Sequence, residues 1–219
     1  MGESHISEEE LLEIKDFLAK HLSNINDRID LRVFLDDPNV CHYCTDTKLL
    51  TKLIAEINPK INVIYNNLQT NIEIARKYNI TKAPVIILEK GNKNNIRYFG
   101  IPAGFEFPVF VETIASFANN FTKLSNATKE KLKIINRPVT IRVLVTLSCP
   151  YCPIAARLSN YFAIFNENII SEIIDVNEFE EFAIKYDVSA VPKIVINDKI
   201  ELLGAHPEPK LVEAVLKAI

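Results

Sequence analysis

"LSCPYC" at residues 147–152 and "VPKIVI" at residues 191–196 each have a counterpart 108 residues earlier, in "CHYC" at 41–44 and "APVIIL" at 83–88. In both copies the proline follows the first cysteine by 43 residues. The run "LRVFL" at 31–35 likewise matches "IRVLV" upstream of the second pair, with a loop two residues longer in the first copy. Shared flanks of this kind are typical of a repeat rather than of two independent motifs. The sequence therefore predicts an internal duplication.

The second copy alternates apolar runs with helical patterns. Residues 139–146 are short, β-branched and bounded by proline and polar residues, which is typical of a buried strand. Residues 154–167 carry apolar side chains at helical spacing, and a strand, a short helix, a hairpin and a closing helix follow. The predicted order is βαβαββα, and the first copy gives the same order. We expect units at residues 1–122 and 123–219, each opened by an extra helix, the first of which begins at a capping box at Ser7.

A strand that leads into C-x-x-C at a helix start, followed by βαββα with a proline opening the third strand, resembles the thioredoxin fold. Two such units in one chain resemble the archaeal-type protein disulfide oxidoreductases, also called glutaredoxin-like proteins. The most specific pieces are "CPYC", "VPKIVI" and "YFGIPAG" at Tyr98–Gly104. The resemblance implies an α/β protein of two tandem thioredoxin-fold units, each a mixed four-stranded central sheet flanked by helices. It also implies thiol–disulfide exchange on protein substrates, with a thioredoxin reductase as electron donor. A peroxiredoxin is a further candidate partner, if the chain relays electrons to a peroxidase.

The four cysteines have the spacing that dithiol–disulfide chemistry needs. The first of each pair, Cys41 or Cys149, is predicted just before a helix, where unpaired N–H groups and the helix dipole stabilise a thiolate. The second, Cys44 or Cys152, comes one helical turn later, close enough to attack a mixed disulfide and release the substrate. We therefore assign Cys41 and Cys149 as attacking thiols and the other two as resolving thiols.

The two prolines lie at a fixed distance from the cysteines. The resemblance implies that a cis peptide bond joins each proline to the residue before it and faces the active site. The pairs are Ala83–Pro84 and Val191–Pro192, whose backbone groups would bind an extended substrate as an added strand. The alternative is an ordinary strand-initial proline. The repeated spacing of 43 residues favours the substrate-binding interpretation.

The dipeptides between the cysteines differ. "CPYC" has the glutaredoxin dipeptide, with Pro150 predicted in the first helical turn, whereas "CHYC" has His42 in that place. A protonated imidazole would stabilise the neighbouring thiolate and make the pair more oxidising, and a solvated loop histidine is the alternative. Tyr43 and Tyr151 are expected to pack against or flank the groove. On the resemblance of its dipeptide, we expect Cys149–Cys152 to be the more active pair.

Composition argues against several other classes of protein. A net charge of −3 gives no basic patch for nucleic acid, and the longest apolar runs are far too short to cross a bilayer. The acidic, amphipathic start lacks the pattern of a secretory signal. We expect a soluble, cytoplasmic protein, and in that compartment paired cysteines favour redox chemistry or metal binding over structural disulfides. We expect no metal and no bound cofactor beyond the two redox-active disulfides, Cys41–Cys44 and Cys149–Cys152.

Four alternatives remain open. Two C-x-x-C pairs can form a four-cysteine zinc site, but 104 residues lie between them here, against about 15–20 in zinc ribbons. "CPYC" favours a glutathione-dependent glutaredoxin, although only Gly204 remains of the usual Gly-Gly-x-x-Asp feature. Intact cysteines argue against a scaffold or chaperone, and an electron-relay module for a peroxidase is chemically close. Reduction, oxidation and isomerisation use the same residues, so the sequence leaves the direction open.

Overall fold

The computed structural model describes the backbone of residues 8–219, and the predicted cap at Ser7 lies outside them. The first copy contains α1 (Glu8–Leu22), β1 (Ile29–Leu35), α2 (Cys44–Ile57), β2 (Ile61–Asn67), α3 (Ile72–Tyr78), β3 (Val85–Lys90), β4 (Lys93–Phe99) and α4 (Glu106–Asn119). The second copy contains α5 (Asn126–Lys133), β5 (Val139–Val145), α6 (Cys152–Phe165), β6 (Ile169–Asp175), α7 (Glu180–Lys185), β7 (Lys193–Ile196), β8 (Ile200–Leu203) and α8 (Glu208–Lys217). Both copies have the predicted βαβαββα order after an initial helix.

Each copy forms a mixed four-stranded sheet, in the order β2-β1-β3-β4 or β6-β5-β7-β8. β1 pairs with β2 in parallel and with β3 antiparallel, and β5 repeats this with β6 and β7. The two sheets join because β4 and β6 pair in parallel, with Ile96 opposite Ser171 and Phe99 opposite Ile174. Residues 8–219 therefore contain one continuous sheet of eight strands. The predicted four-stranded sheets are confirmed, and they meet through their edges.

Alternation along the strands gives each face of the sheet its own apolar layer. Val33 and Val143 belong to the layer that packs against α1, α2, α4, α5, α6 and α8. Phe34 and Leu144, the next residues along, belong to the layer under α3 and α7. All four side chains are buried. Because helices cover both faces, the central strands are apolar on both sides, as the sequence pattern indicates.

A buried polar network joins α4 of the first copy to α6 of the second. The side-chain amide of Asn160 donates to Tyr98 Oη at 2.8 Å and to Thr113 Oγ1 at 3.0 Å. Its carbonyl oxygen accepts from Ser171 Oγ at 2.8 Å. All four side chains are buried, so these hydrogen bonds offset the hydration that each group loses on folding. The network fixes how the two copies sit against each other.

Both cysteine pairs lie on the same side of the molecule, beyond the carboxyl ends of parallel strands. The strands β1, β2, β4, β5 and β6 run in the same direction, and β3 and β7 run against them. Cys41 follows β1 and Cys149 follows β5, at the carboxyl ends of these strands. Since β3, β4 and β6 lie between β1 and β5, a strand spacing of about 4.8 Å puts the two sites about 19 Å apart. That distance is too long for the two disulfides to exchange with each other directly.

Candidate active site

Two disulfides, Cys41–Cys44 and Cys149–Cys152, form the two candidate sites. The Cα atoms are 5.4 Å apart in the first pair and 5.5 Å apart in the second. α2 begins at Cys44 and α6 at Cys152, so the first cysteine of each pair precedes its helix, as the spacing predicts. Cys149 is the most exposed of the four side chains, at 8%. Both disulfides are therefore largely covered by neighbouring side chains.

Backbone amides reach different sulfurs in the two sites. In the second site, the amide of Cys152 at the start of α6 donates to Cys149 Sγ at 3.1 Å. A donor in this place favours a thiolate on that sulfur after reduction. In the first site, the amide of Asp36 donates to Cys44 Sγ at 3.2 Å. In the first copy the hydrogen bond therefore falls on the second cysteine of the pair, a difference that the sequence did not predict.

The residues between the cysteines lie at or near the surface. His42 is exposed, and its ring meets Tyr43 edge-on with the ring centroids 4.6 Å apart. Pro150 is also exposed, but the prediction that it lies in the first helical turn is wrong. Pro150 precedes α6, and Pro153 occupies the first turn instead. Tyr151, the residue directly before α6, is 66% exposed.

The peptide bonds Ala83–Pro84 and Val191–Pro192 are both cis. Ala83 is buried in contact with the first disulfide, Cys41–Cys44. In the second site the carbonyl oxygen of Val191 lies 3.8 Å from Cys149 Sγ. The structure therefore brings each of these residue pairs beside the disulfide of its own copy.

The flanks of the two sites differ because β2 is an edge strand of the sheet and β6 is not. Beside Cys44, a cavity of about 460 Å³ opens next to β2, with Lys48, Tyr65 and Asn66 among its lining residues. At the second site, the corresponding side faces β6 and the segment that follows β4. The cavity there measures about 10 Å³, and both Gly100 of the first copy and Leu147 of the second line it. The first site is open on this side, and the second is closed by the other copy.

Three carboxyl groups that sequence reasoning missed gather where the two copies meet. Glu106, at the start of α4, is 1% exposed, and neither of its carboxylate oxygens has a hydrogen-bond partner among the described residues. Burial raises the pKa of Glu106 and that of Glu178 to about 7, and it also raises the pKa of Asp175. Glu178 accepts the amide of Ile101 at 2.7 Å, while Glu106 and Asp175 line the small cavity beside Leu147. For Glu106, the signal in the sequence is an acidic residue at the start of the largely apolar helix "EFPVFV".

Within the described part of the chain, no group of three or more His, Cys, Asp and Glu side chains is arranged to hold a metal ion. The two cysteine pairs lie about four strand spacings apart, so their sulfurs do not meet in a shared four-thiolate site. Residues 8–219 also contain no helix that is both long enough and apolar enough to span a membrane.

Known proteins that resemble this chain in sequence and fold indicate the class of the two sites. The thioredoxin domain family matches residues 139–217. The thioredoxin of Methanocaldococcus jannaschii is 37% identical over 82 residues, which are 37% of this chain and 96% of that protein. The crystal structure of a protein disulfide oxidoreductase from Aeropyrum pernix superposes with a TM-score of 0.84 at 29% identity, over 97% of this chain and 93% of that one. The NTD_N/C domain of alkylhydroperoxide reductase AhpF from Enterococcus faecalis has the same fold, with a TM-score of 0.84 at 20% identity, over 93% of this chain and 98% of that one.

A cysteine pair at a helix start beside a cis-proline, in a sheet of this topology, defines a thiol–disulfide oxidoreductase with the thioredoxin fold. The chain belongs to the thioredoxin family, as a protein disulfide oxidoreductase of the archaeal, two-unit type. The predictions of fold class, family and dithiol–disulfide exchange are confirmed. Its redox partners are thiol and disulfide substrates.

Proposed function

We propose that the chain exchanges disulfides with protein substrates at both sites, with Cys41 and Cys149 as attacking thiols. In the reductive direction the thiolate attacks a substrate disulfide, forms a mixed disulfide and releases one substrate thiolate, which takes up a proton. Cys44 or Cys152 then attacks the enzyme sulfur of that linkage and releases the second substrate thiolate, leaving the enzyme oxidised. Formation of a substrate disulfide is the same sequence in reverse. The observation that carries the proposal is the amide of Cys152, 3.1 Å from Cys149 Sγ, because it stabilises the attacking thiolate of the second site. Cys41 is assigned the same role because it holds the matching position before α2.

The substrate backbone is proposed to bind beside the cis-prolines as an added strand. In the first site the carbonyl of Pro84 already accepts the amide of Gly100 at 2.9 Å, so we assign the substrate to the backbone of Ala83. Val191, before Pro192, has the corresponding place in the second site. Support comes from the position of each pair directly beside its disulfide.

Single-site variants test the assignment of the cysteines. We expect Cys149→Ser to lose the larger share of insulin reduction with dithiothreitol as reductant, and Cys41→Ser the smaller share. The double variant is expected to fall to the rate of dithiothreitol alone, because no attacking thiol remains. Insulin reduction at the wild-type rate by the double variant would contradict the mechanism. Loss on Cys41→Ser with full activity on Cys149→Ser would reverse the ranking of the sites.

We further propose that a thioredoxin reductase supplies the electrons for reductive turnover in the cytoplasm. The likeness to a domain of alkylhydroperoxide reductase AhpF is the reason to test a second function, an electron relay to a peroxidase such as a peroxiredoxin. The test follows NADPH oxidation with thioredoxin reductase and either insulin or a peroxiredoxin with hydroperoxide as the final acceptor. Turnover with insulin supports the first function, and turnover with the peroxiredoxin alone supports the relay. Replacing the reductase by glutathione and glutathione reductase tests the glutaredoxin alternative.

The division of the chain into units at residues 1–122 and 123–219 is part of the same proposal. α4 ends at Asn119 and α5 begins at Asn126, so the division falls in the connection between them. Ser125 caps α5 by accepting the amide of Thr128 at 3.2 Å. This cap gives the second unit a helix start of its own.

A further inference from the structure

A segment of the first unit reaches the active-site loop of the second. After β4 the chain passes over the end of β6, and the amide of Phe105 donates to the carbonyl of Leu147 at 3.0 Å. Gly104 adopts a φ of +55°, and a Cβ atom there would collide with the Leu147 backbone. Glycine is therefore required for this close approach. Leu147 lies two residues before Cys149, so the contact is with the loop that carries the second redox site.

Phe105 leaves much of its ring in solvent at this place. Phe105 directly precedes α4, and its exposure is 53%. Tyr151 and Ile154, at the start of α6, are 66% and 48% exposed. Exposed side chains of the second unit therefore adjoin the largely buried Cys149–Cys152 pair in the chain, and Phe105 of the first unit is hydrogen-bonded to the loop that leads into Cys149. Exposed apolar side chains next to a functional site are typical of a binding surface.

Within residues 8–219, no other unit of the chain contributes an aromatic side chain to the first site, whose own flank carries Tyr65 at 39% exposure. Its outer flank is the edge strand β2, and no further unit of the described chain lies beyond that edge. A cavity of about 460 Å³, with Tyr65, Asn66 and Asn71 in its lining, occupies that side. The exposed ring of Phe105 is therefore available to substrates of the second site only.

We propose that Phe105 of the first unit contacts protein substrates of the Cys149–Cys152 site and helps to select them. The substrates that Phe105 favours are peptides or proteins in which apolar side chains flank the disulfide, because contact between its ring and apolar surface stabilises the complex. A small, soluble disulfide carries no such flanks and reaches the sulfur without touching the ring. The two sites of one chain then differ in the clients they accept, and the difference arises from how the units join. This inference rests on the proposed exchange at the second site.

The test uses protein in which Cys41→Ser and Cys44→Ser leave only the second site. Phe105→Ala is compared with Phe121→Ala, a matched control that is 55% exposed and lies in the connection between α4 and α5. We measure kcat/KM for insulin and for 2-hydroxyethyl disulfide, and the reduction potential of Cys149–Cys152. Phe105→Ala is expected to lower kcat/KM for insulin about tenfold, equivalent to about 1.4 kcal/mol, mainly through a higher KM. The loss with 2-hydroxyethyl disulfide is expected to stay below about twofold, as is the loss with Phe121→Ala on either substrate.

Two results overturn the proposal. One is an equal loss on both substrates or a shifted reduction potential, because Phe105 would then act by positioning the Leu147 loop. The other is an unchanged KM for insulin. Phe105→Leu separates the two roles further, since an apolar replacement is expected to restore most of the insulin activity. Failure of the parent single-site protein to reduce 2-hydroxyethyl disulfide would instead refute exchange at this site, which is a separate outcome.

Discussion

Replacing Glu106 by glutamine is expected to stabilise the protein at neutral and alkaline pH. The carboxyl group is buried where the two units meet, and neither oxygen has a hydrogen-bond partner within residues 8–219. Burial raises its pKa from 4.5 to about 7; Asp175 on β6 adds to the rise, and Arg157 on α6 opposes it. An ionised carboxylate in this place is therefore a source of instability that a neutral amide of the same shape removes.

The size of the expected stabilisation and the pH range in which it appears follow from the raised pKa of Glu106. A rise in pKa from 4.5 to about 7 corresponds to about 3 kcal/mol between the protonated and ionised forms. The folded state holds the Glu106 proton more tightly than the unfolded state, so the stability that this group contributes is complete below pH 4.5 and is lost as the pH rises through about 7. Glu106→Gln does not titrate, so its advantage over the wild type is small at pH 5 and approaches about 3 kcal/mol at pH 8.

The assay is urea unfolding of the oxidised protein at pH 5 and pH 8. Glu178, whose pKa is also raised to about 7, titrates in both proteins, so its contribution cancels from the difference. Glu112→Gln on the same helix is the matched control, because the pKa of Glu112 is shifted in the opposite direction. Although burial would raise the pKa of Glu112, hydrogen bonds from Tyr161, Arg157 and Lys123 lower it to about 2.

Glu112→Gln is therefore expected to destabilise the protein at pH 8, because these three donors lose their ionised acceptor. A free-energy difference between Glu106→Gln and wild type that is the same at both pH values would refute the reasoning. So would a loss of stability in Glu106→Gln at pH 8, because it would mean that the ionised carboxylate is favourably bound.

Two further predictions concern the join between the units and the first site. Asn160→Leu is expected to lower the free energy of unfolding by about 2–4 kcal/mol in urea, because Tyr98, Thr113 and Ser171 each lose a buried hydrogen bond to Asn160. Asn136→Leu at the surface is the control, and equal effects would contradict the role of the network. His42→Pro gives the first site the dipeptide of the second, and it is expected to lower the reduction potential of Cys41–Cys44 by about 30 mV or more in glutathione equilibration, because an imidazole next to Cys41 favours the thiolate. An unchanged potential would show that His42 does not act on Cys41.

Repetition made the architecture of each unit readable from the sequence. Cys41 and Cys149, with Pro84 and Pro192 at the same distance, indicate the strand, the helix start and the substrate loop in both copies, because these depend on local order. The contacts of Phe105 and Glu106 depend on how β4 meets β6, and neither copy contains that information alone. The placement of the Asp36 amide on Cys44 Sγ likewise depends on the path of a loop rather than on its length.

The pairing of β4 with β6 is a head-to-tail join, in which two different edges meet. Contacts of this kind do not close on themselves, and in principle they repeat without limit. The outer strands β2 and β8 correspond to β6 and β4, so the molecule carries at its two ends the same kinds of edge that meet at its centre. β8 has four residues where β4 has seven, and short edge strands resist further pairing. The shortened last strand thus opposes the growth of a duplicated sheet into a filament.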